Sequence, residues 1–353
     1  MKINKTTAFL AFFLVPLVLL SAGPSKENAG KQFTLFTWTD MFPQEILDGF
    51  ERDSGYRINY VNFDYDETML TRLAAAKGGG YDLVIADDYI IETAIAEGLV
   101  QKLDKSRLSN YRNINPIYQK QFYDPLDEYT VPYGAGVQTI VYDPARVRTG
   151  ITGYGDLWDS SLAGNVGIIE NHRVINGMAL KTLGKSYNTE NTADIRSAGE
   201  RLLALAPNIR LIRDDNLQDD LISGEISAAV MYTSQVTQAK MARPDFRVVF
   251  PREGIGFGIM AGFIPSGAPN PAAAYAFLDY IMDARRGAEC FEFLGYYSTY
   301  RASDPLISAE YREFLTLPEG FNTGMEMIQN IGAEADEAHS LIWTAFKDAA
   351  GRN

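Results

Sequence analysis

Residues 32–97 read QFTLFTWTDMFPQEILDGFERDSGYRINYVNFDYDETMLTRLAAAKGGGYDLVIADDYIIETAIAE, and the periodicity of this stretch decides the fold. Gln32–Thr37 is apolar and rich in aromatic and β-branched residues, which predicts a strand. Met41–Ser54 sets Ile46, Leu47 and Phe50 at helical spacing and stops at Gly55. Arg57–Phe63 is a second strand. Glu67–Ala76 places Met69, Leu70, Leu73 and Ala74 on one helical face, ended by Gly78-Gly79-Gly80. Asp82–Ala86 is a short strand of the buried kind, and Tyr89–Glu97 is a helix ended by Gly98. Strand and helix alternate, so the region is α/β with a mainly parallel sheet.

The rest of the chain continues the theme. Val137–Asp143, Val166–Glu170, Arg210–Arg213, Ala228–Met231, Val248–Phe250 and Gly258–Ile264 read as strands. Gly155–Trp158, Gly177–Leu183, Asn191–Leu205, Leu217–Gly224, Asn270–Met282, Glu310–Leu315 and Ala333–Ala349 read as helices. Pro271 sits near the first turn of its helix, where a missing N–H does no harm. The length suggests two α/β lobes of roughly 120 to 170 residues each. Ligands of such sheets bind beyond the carboxyl ends of strands, so the loops after strands hold the candidate site.

Composition narrows the function. The 353 residues include 32 Lys and Arg against 45 Asp and Glu, a net charge of −13. Nucleic acid is excluded as a partner, because phosphate binding needs a basic face. The single cysteine, Cys290, rules out an internal disulfide and a cysteine-rich metal site. His172 and His339 are the only histidines and lie far apart, so a histidine-cluster zinc enzyme finds no support. At the start of the chain, Lys2 and Lys5 precede the apolar run Ala8–Leu20 and the small residues Ser21-Ala22-Gly23. That is the pattern of an export signal, here residues 1–22. The run Leu19-Leu20-Ser21 followed by Gly23 also matches a lipoprotein signal with Ala22 in place of the lipidated cysteine. Residues 23–32 then read as a polar tether.

Two loops after strands carry chemistry. Trp38-Thr39-Asp40 offers a ring face and a carboxylate to a cation, or a packed Trp and a helix-capping Asp. Asp87-Asp88-Tyr89 offers two acids and a phenol, or a pair that caps the next helix. Pro132-Tyr133-Gly134-Ala135-Gly136 is hinge, ligand wall, or both, and Gly254–Gly258 fits a second crossing between lobes. Neither has dinucleotide or phosphate-loop spacing. His172 reads as a solvated loop residue and Cys290 as a buried small apolar one. Tyr296-Tyr297 is a ligand site, a hard-cation site or packing. No nucleophile–base pair or cofactor fingerprint is visible, so an enzyme is not expected.

Together these residues resemble the spermidine/putrescine-binding proteins of polyamine ABC importers, from about Phe33 to Lys347. The likeness rests on TLFTWTD (34–40), FERDSGYRINY (50–60), ETMLTRL (67–73), GGGYDLVIADDY (78–89) and EGLVQKLDKSRLSNYRNINP (97–116). It continues through YTVPYGAGVQTIVYDP (129–144), DLWDSSLAGNVGI (156–168), MALKTLG (178–184), NPAAAYAFLDYIM (270–282) and LGYYSTY (294–300). The resemblance implies a two-lobed periplasmic-binding-protein fold, type II-like, whose lobes close on ligand about crossover strands. Lobe 1 would be 33–135 plus 258–303, and lobe 2 would be 136–257 plus 304–353.

The resemblance also implies ligand residues. Trp38, Thr39 and Asp40 match the family's aromatic–hydroxyl–acid loop, and Tyr89 matches a site tyrosine. Asp87 stands where the family often has Ser, beside Asp88. Tyr232 replaces a Trp wall, Tyr296 matches a site tyrosine, and Gln329 matches a site amide. The family's second-lobe acids fall on Asn171 and Val174, and its aromatic and inner-amine Asp fall on Gly258 and Met260. Asp87 or Asp88, from the opposite wall, is the expected substitute carboxylate. The implied protein is a periplasmic or surface-held, monomeric solute-binding component. It would capture a polyamine or similar small organic cation for an ABC permease, with no metal site and no cofactor. Two alternatives stay open: a thiamine-like cation or ferric ion on the same fold, and a sensory or surface protein without transport.

Overall fold

The computed structural model describes residues 31–317 and 324–351. In chain order the strands are β1 Gln32–Thr37, β2 Arg57–Asn62, β3 Leu83–Asp87, β4 Thr130–Val137, β5 Thr139–Tyr142 and β6 Val166–Ile168. They continue with β7 Ile209–Ile212, β8 Ala228–Met231, β9 Arg247–Val249, β10 Ile255–Phe263, β11 Tyr297–Ser298 and β12 Met325–Met327. The expected export signal falls on residues outside the described ones, and the expected tether overlaps β1 at Gln32.

β1 is covered on both faces. Phe33 and Leu35 pack with Phe50 and Phe277 from the helices Gln44–Ser54 and Pro271–Ile281. Phe36 packs the other way, with Met69, Leu73 and Ile91 from the helices Asp66–Ala75 and Asp88–Ala96. A parallel strand buried on both faces reads as a continuous apolar run, which is why this part was legible. The helix Gln44–Ser54 ends in a left-handed Gly55, whose φ of 74° suits glycine.

Two sheets result. The first runs β2-β1-β3-β10-β4-β11, with β12 pairing β10; the second runs β7-β6-β8-β5-β9. The mainly parallel arrangement expected over residues 32–97 is present, but the sheets as wholes are mixed. β1 pairs parallel with β2 and β3, but β10 lies antiparallel to both β3 and β4. In the second sheet β6 is parallel to β7 and β8, while β5 is antiparallel to β8 and β9. The antiparallel members are the strands that carry the chain from sheet to sheet. β4 enters β5 with only Gln138 between them, and β9 leads back into β10. Pro132–Gly136, read as hinge, ligand wall or both, is part of the strand β4.

Two helices differ from expectation. The one predicted over Gly177–Leu183 begins at His172, with Asn171 as its cap, and ends at Thr182. His172 is thus a half-buried first-turn residue and not a solvated loop histidine. The helix Thr233–Ala242 has no apolar periodicity to announce it, because its buried face mixes polar and apolar residues. Thr233 Oγ1 donates to the Val137 carbonyl and accepts from its N–H, both at 2.8 Å, and Thr237 donates to the Gly295 carbonyl at 3.0 Å. Cys290 is buried as expected, its thiol pushed up to about 12 by burial.

Candidate functional site

A cleft of about 1030 Å³ opens between the sheets. One side is the carboxyl end of β3 with the facing parts of β4 and β10; the other is the first turn of His172–Thr182 and the residues after β8. This is the position beyond strand ends where ligands of such sheets bind. Trp38, Asp87, Asp88, Tyr89, Asn171, Tyr232, Tyr296 and Gln329 all border it, while Thr39 and Asp40 do not.

The first side is acidic. Asp87 occupies the cap position of the helix Asp88–Ala96 but makes no capping hydrogen bond. Asp88 is 5 % exposed, and its Oδ2 accepts from the Ile259 N–H on β10 at 2.7 Å. Burial pushes the Asp88 carboxyl up to about 7, although the hydrogen bond from Ile259 opposes the rise. Asp66 reaches the same place from the start of its own helix. Burial pushes its carboxyl up to about 6. Burial, together with the neighbouring charges of Asp66 and Asp88, pushes the Asp87 carboxyl well above the usual range. Tyr89 bridges the group, its hydroxyl lying 3.1 Å from Glu67 Oε1 and 3.4 Å from Asp66 Oδ2. Among the described residues, no Lys or Arg is ion-paired with Asp66, Glu67, Asp87 or Asp88. Like-charged carboxylates held together without a cation favour protonation or an incoming cation.

The departures at Gly258 and Met260 have a geometric counterpart. A Cβ on Gly258 would stand 3.3 Å from Asp88 Oδ2, so the carboxylate uses the space of the missing side chain. Met260 is the direct cross-strand partner of Asp87 in the β3–β10 pairing. Asp87 therefore stands on the adjacent strand of the same sheet as position 260.

The loop after β1 divides. Trp38 borders the cleft, its ring centroid 5.0 Å from that of Phe63 and its carbonyl accepting from the Tyr60 hydroxyl at 2.8 Å. Thr39 is exposed and accepts from Asn62 Nδ2 at 2.6 Å. Asp40 is exposed, with a φ of 55° that Asp tolerates better than most residues. It does not cap the next helix either, since that cap is Pro43.

Tyr296 lies over β4, where a Cβ on Gly136 would meet its ring at 3.4 Å. Burial, with the charge of Asp87 nearby, pushes its hydroxyl up to about 12. Tyr297, by contrast, is 1 % exposed and packs in the core beside Phe250, so of the pair read as ligand site, hard-cation site or packing only Tyr296 borders the cleft. Among the described residues, no group of three or more His, Cys, Asp and Glu is placed to hold a metal ion. On the far side, Asn171 Nδ2 donates to the Tyr232 hydroxyl at 3.3 Å, and that hydroxyl lies 3.3 Å from Asp214 Oδ1. The Gln329 N–H donates to Asn188 Oδ1 at 2.8 Å.

Sequence reasoning passed over Glu67, Gln138 and Arg173 and read His172 as a loop residue, and all four border the cleft. Asn171 accepts from the Val174 N–H at 3.1 Å as a helix cap. An Asn before an apolar-periodic stretch is a helix-start signal, and following it would have put His172 and Arg173 on the cleft side.

Comparison with known proteins agrees with this architecture. Residues 45–332 match the family pattern described as bacterial extracellular solute-binding protein. The spermidine/putrescine-binding periplasmic protein of Salmonella typhimurium is 31 % identical over 298 residues, covering 82 % of this chain and 84 % of that protein. The putrescine/cadaverine-binding protein of Pseudomonas aeruginosa is 27 % identical over 349 residues, covering 95 % and 98 %. Among solved structures, a spermidine/putrescine ABC transporter substrate-binding protein from Streptococcus pneumoniae superposes with a TM-score of 0.85. It is 24 % identical, with 91 % of this chain and 99 % of that one covered. These relatives are transport binding proteins and not enzymes. Two sheets bridged by crossing strands, a cleft at the strand ends and a family match over most of the chain lead to one conclusion: the chain belongs to the bacterial extracellular solute-binding proteins.

Proposed function

We propose that the protein is the solute-capturing component of an ABC importer and that its cleft takes a polyamine or similar small organic cation. The observation that carries this reading is the cluster of Asp66, Glu67, Asp87 and Asp88 at a cleft bordered by Trp38, Tyr89 and Tyr296. Carboxylates pair with an ammonium, and ring faces attract its positive charge while excluding water. Asp87 is the principal partner, because among the described residues it makes no capping hydrogen bond and pairs with no Lys or Arg.

Capture then closes the two bodies on the ligand about the crossings at Gln138 and between β9 and β10, a hinge motion. The bodies follow the lobes 33–135 plus 258–303 and 136–257 plus 304–353, except that the ends of β4 and β10 and the strand β12 stay with the first sheet. The closed form docks as a monomer on a membrane permease at the periplasmic or outer face, after export by residues 1–22.

Thermal unfolding against putrescine, spermidine, spermine, thiamine and ferric ion tests this, after unfolding and refolding to strip carried-over ligand. A ligand at about 100 times its dissociation constant stabilises by about 2.7 kcal/mol. A midpoint shift with an amine supports the reading. A shift with ferric ion alone, or with none of the panel, sinks it.

A further inference from the structure

The two sides of the cleft differ in charge. The β3 side holds Asp66, Glu67, Asp87 and Asp88 with no ion-paired cation among the described residues. The facing side carries Arg173, the one Lys or Arg that borders the cleft among the described residues, next to His172. The Arg173 Nη2 donates to the Tyr187 carbonyl at 3.3 Å and to Asn188 Oδ1 at 3.5 Å. Its Nε is shut off from solvent with no hydrogen-bond partner.

The acids around Arg173 are occupied or held off. Glu170 is paired with Lys347 at 2.8 Å. Asp214 Oδ1 accepts from the Glu170 N–H at 2.9 Å and faces the Tyr232 hydroxyl. Asp336 comes from the helix Ala333–Ala350 and lies 3.8 Å from His172 Nε2, with no ion pair to Arg173. His339, fully buried behind them, is pushed down to about 4 by burial and the positive neighbours Arg173 and His172. Burial also lowers the pKa of Arg173 itself, and the charge of Asp336 opposes that shift without reversing it. The guanidinium is a planar fork suited to oxygen acceptors, and an ammonium set beside it would meet a like charge. At the crossing, Gln138 is 8 % exposed, borders the cleft and leaves Oε1 without a donor, an acceptor open to an N–H.

We infer that the ligand has two unlike ends: one ammonium, held at Asp87 and its neighbours, and one oxygen acceptor, a carboxylate or an acyl carbonyl, held at Arg173. This rests on the amine-capture reading above and specifies which amines the cleft prefers. A diamine fits the acidic side equally well but sets its second ammonium against Arg173.

The test is calorimetric titration of the stripped protein with putrescine, N-acetylputrescine and δ-aminovalerate, repeated on Arg173→Met and Arg173→Lys with thermal midpoints recorded. At least one oxygen-ended amine is expected to bind about tenfold tighter than putrescine, as one lost like-charge clash and one gained charge-assisted hydrogen bond allow. Whichever of the two binds tighter identifies the acceptor as acyl or carboxylate. Arg173→Met should erase that preference, and Arg173→Lys should keep it only for the carboxylate. Putrescine binding as tightly as both others in the unmodified protein overturns the inference while leaving amine capture standing. Binding of none of the three overturns the inference, and overturns amine capture as well when spermidine and spermine also fail to bind.

Discussion

Two loops of this chain invite the same pair of readings, and the fold treats them oppositely. Trp38-Thr39-Asp40 follows β1 and Asp87-Asp88-Tyr89 follows β3; each offers acid and aromatic to a cation, and each precedes a helix. In the second loop all three side chains reach the cleft, and none of the acids caps through its side chain at Asp87. In the first only Trp38 does, while Asp40 serves a left-handed turn in solvent. The difference lies in what stands beside each strand. β3 is flanked by β10, whose backbone binds Asp88 and whose Met260 faces Asp87, whereas the loop after β1 is tied down by Tyr60 and Asn62 from β2, at the sheet edge.

The sharpest way to break the comparison is at Asp87. Asp87→Asn should weaken amine binding by roughly 2 to 5 kcal/mol, the usual loss for one partner of a desolvated charge pair. It should also raise the midpoint of the ligand-free protein, since repulsion with Asp66 and Asp88 falls. Unchanged titration curves would remove Asp87 from the site.

Next comes pH. Asp66 and Asp88 have carboxyls raised to about 6 and about 7, above the ordinary 3.8 of an unfolded chain. The folded state binds the extra protons, so this stability is present below pH ~4 and is lost as pH rises through about 6 to 7. Amine binding runs the other way, tightening by about tenfold over the same window as the carboxyls ionise. Midpoints and affinities between pH 4.5 and 8 check both signs, and parallel trends would contradict the argument.

Trp38→Ala follows, with an expected loss of about 1 kcal/mol in amine affinity from the ring face. Asp40→Asn comes last. Asn tolerates the same left-handed turn, so affinity should stay within about twofold. A large loss there would restore the first loop to the site and reverse the contrast between the two.

How much of this the sequence could disclose depends on where each signal is stored. The strands around residues 32–87 are buried on both faces by regular helices, so local periodicity carries them. β4 does not read as strand because Gly134 and Gly136 are spaces left for the Met260 methyl and the Tyr296 ring, a demand made by partners far along the chain. The helix Thr233–Ala242 is hidden because hydrogen-bonded Thr233 and Thr237 share its inner face with Val236 and Ala239, which leaves no continuous apolar stripe. The acid cluster divides in the same manner. Asp87 and Asp88 are adjacent and visible, but Asp66 and Glu67 join them only because parallel pairing brings two helix starts to one end of the sheet. The place of Arg173 at the cleft was signalled only indirectly, by Asn171 as the start of its helix.

The single residue between β4 and β5 has a mechanical consequence. A link this short behaves as an axle and not as a tether: it lets the two bodies swing but not slide. Displacement in a swing grows with distance from the axle. In the closure proposed above, Gln138 on the link would travel least and groups far from it on either body would travel most. Groups near the axle therefore sense the ligand before and after closure alike. Spectroscopic labels placed out along the arms would report the swing itself, separating the moment of occupancy from the moment of shutting.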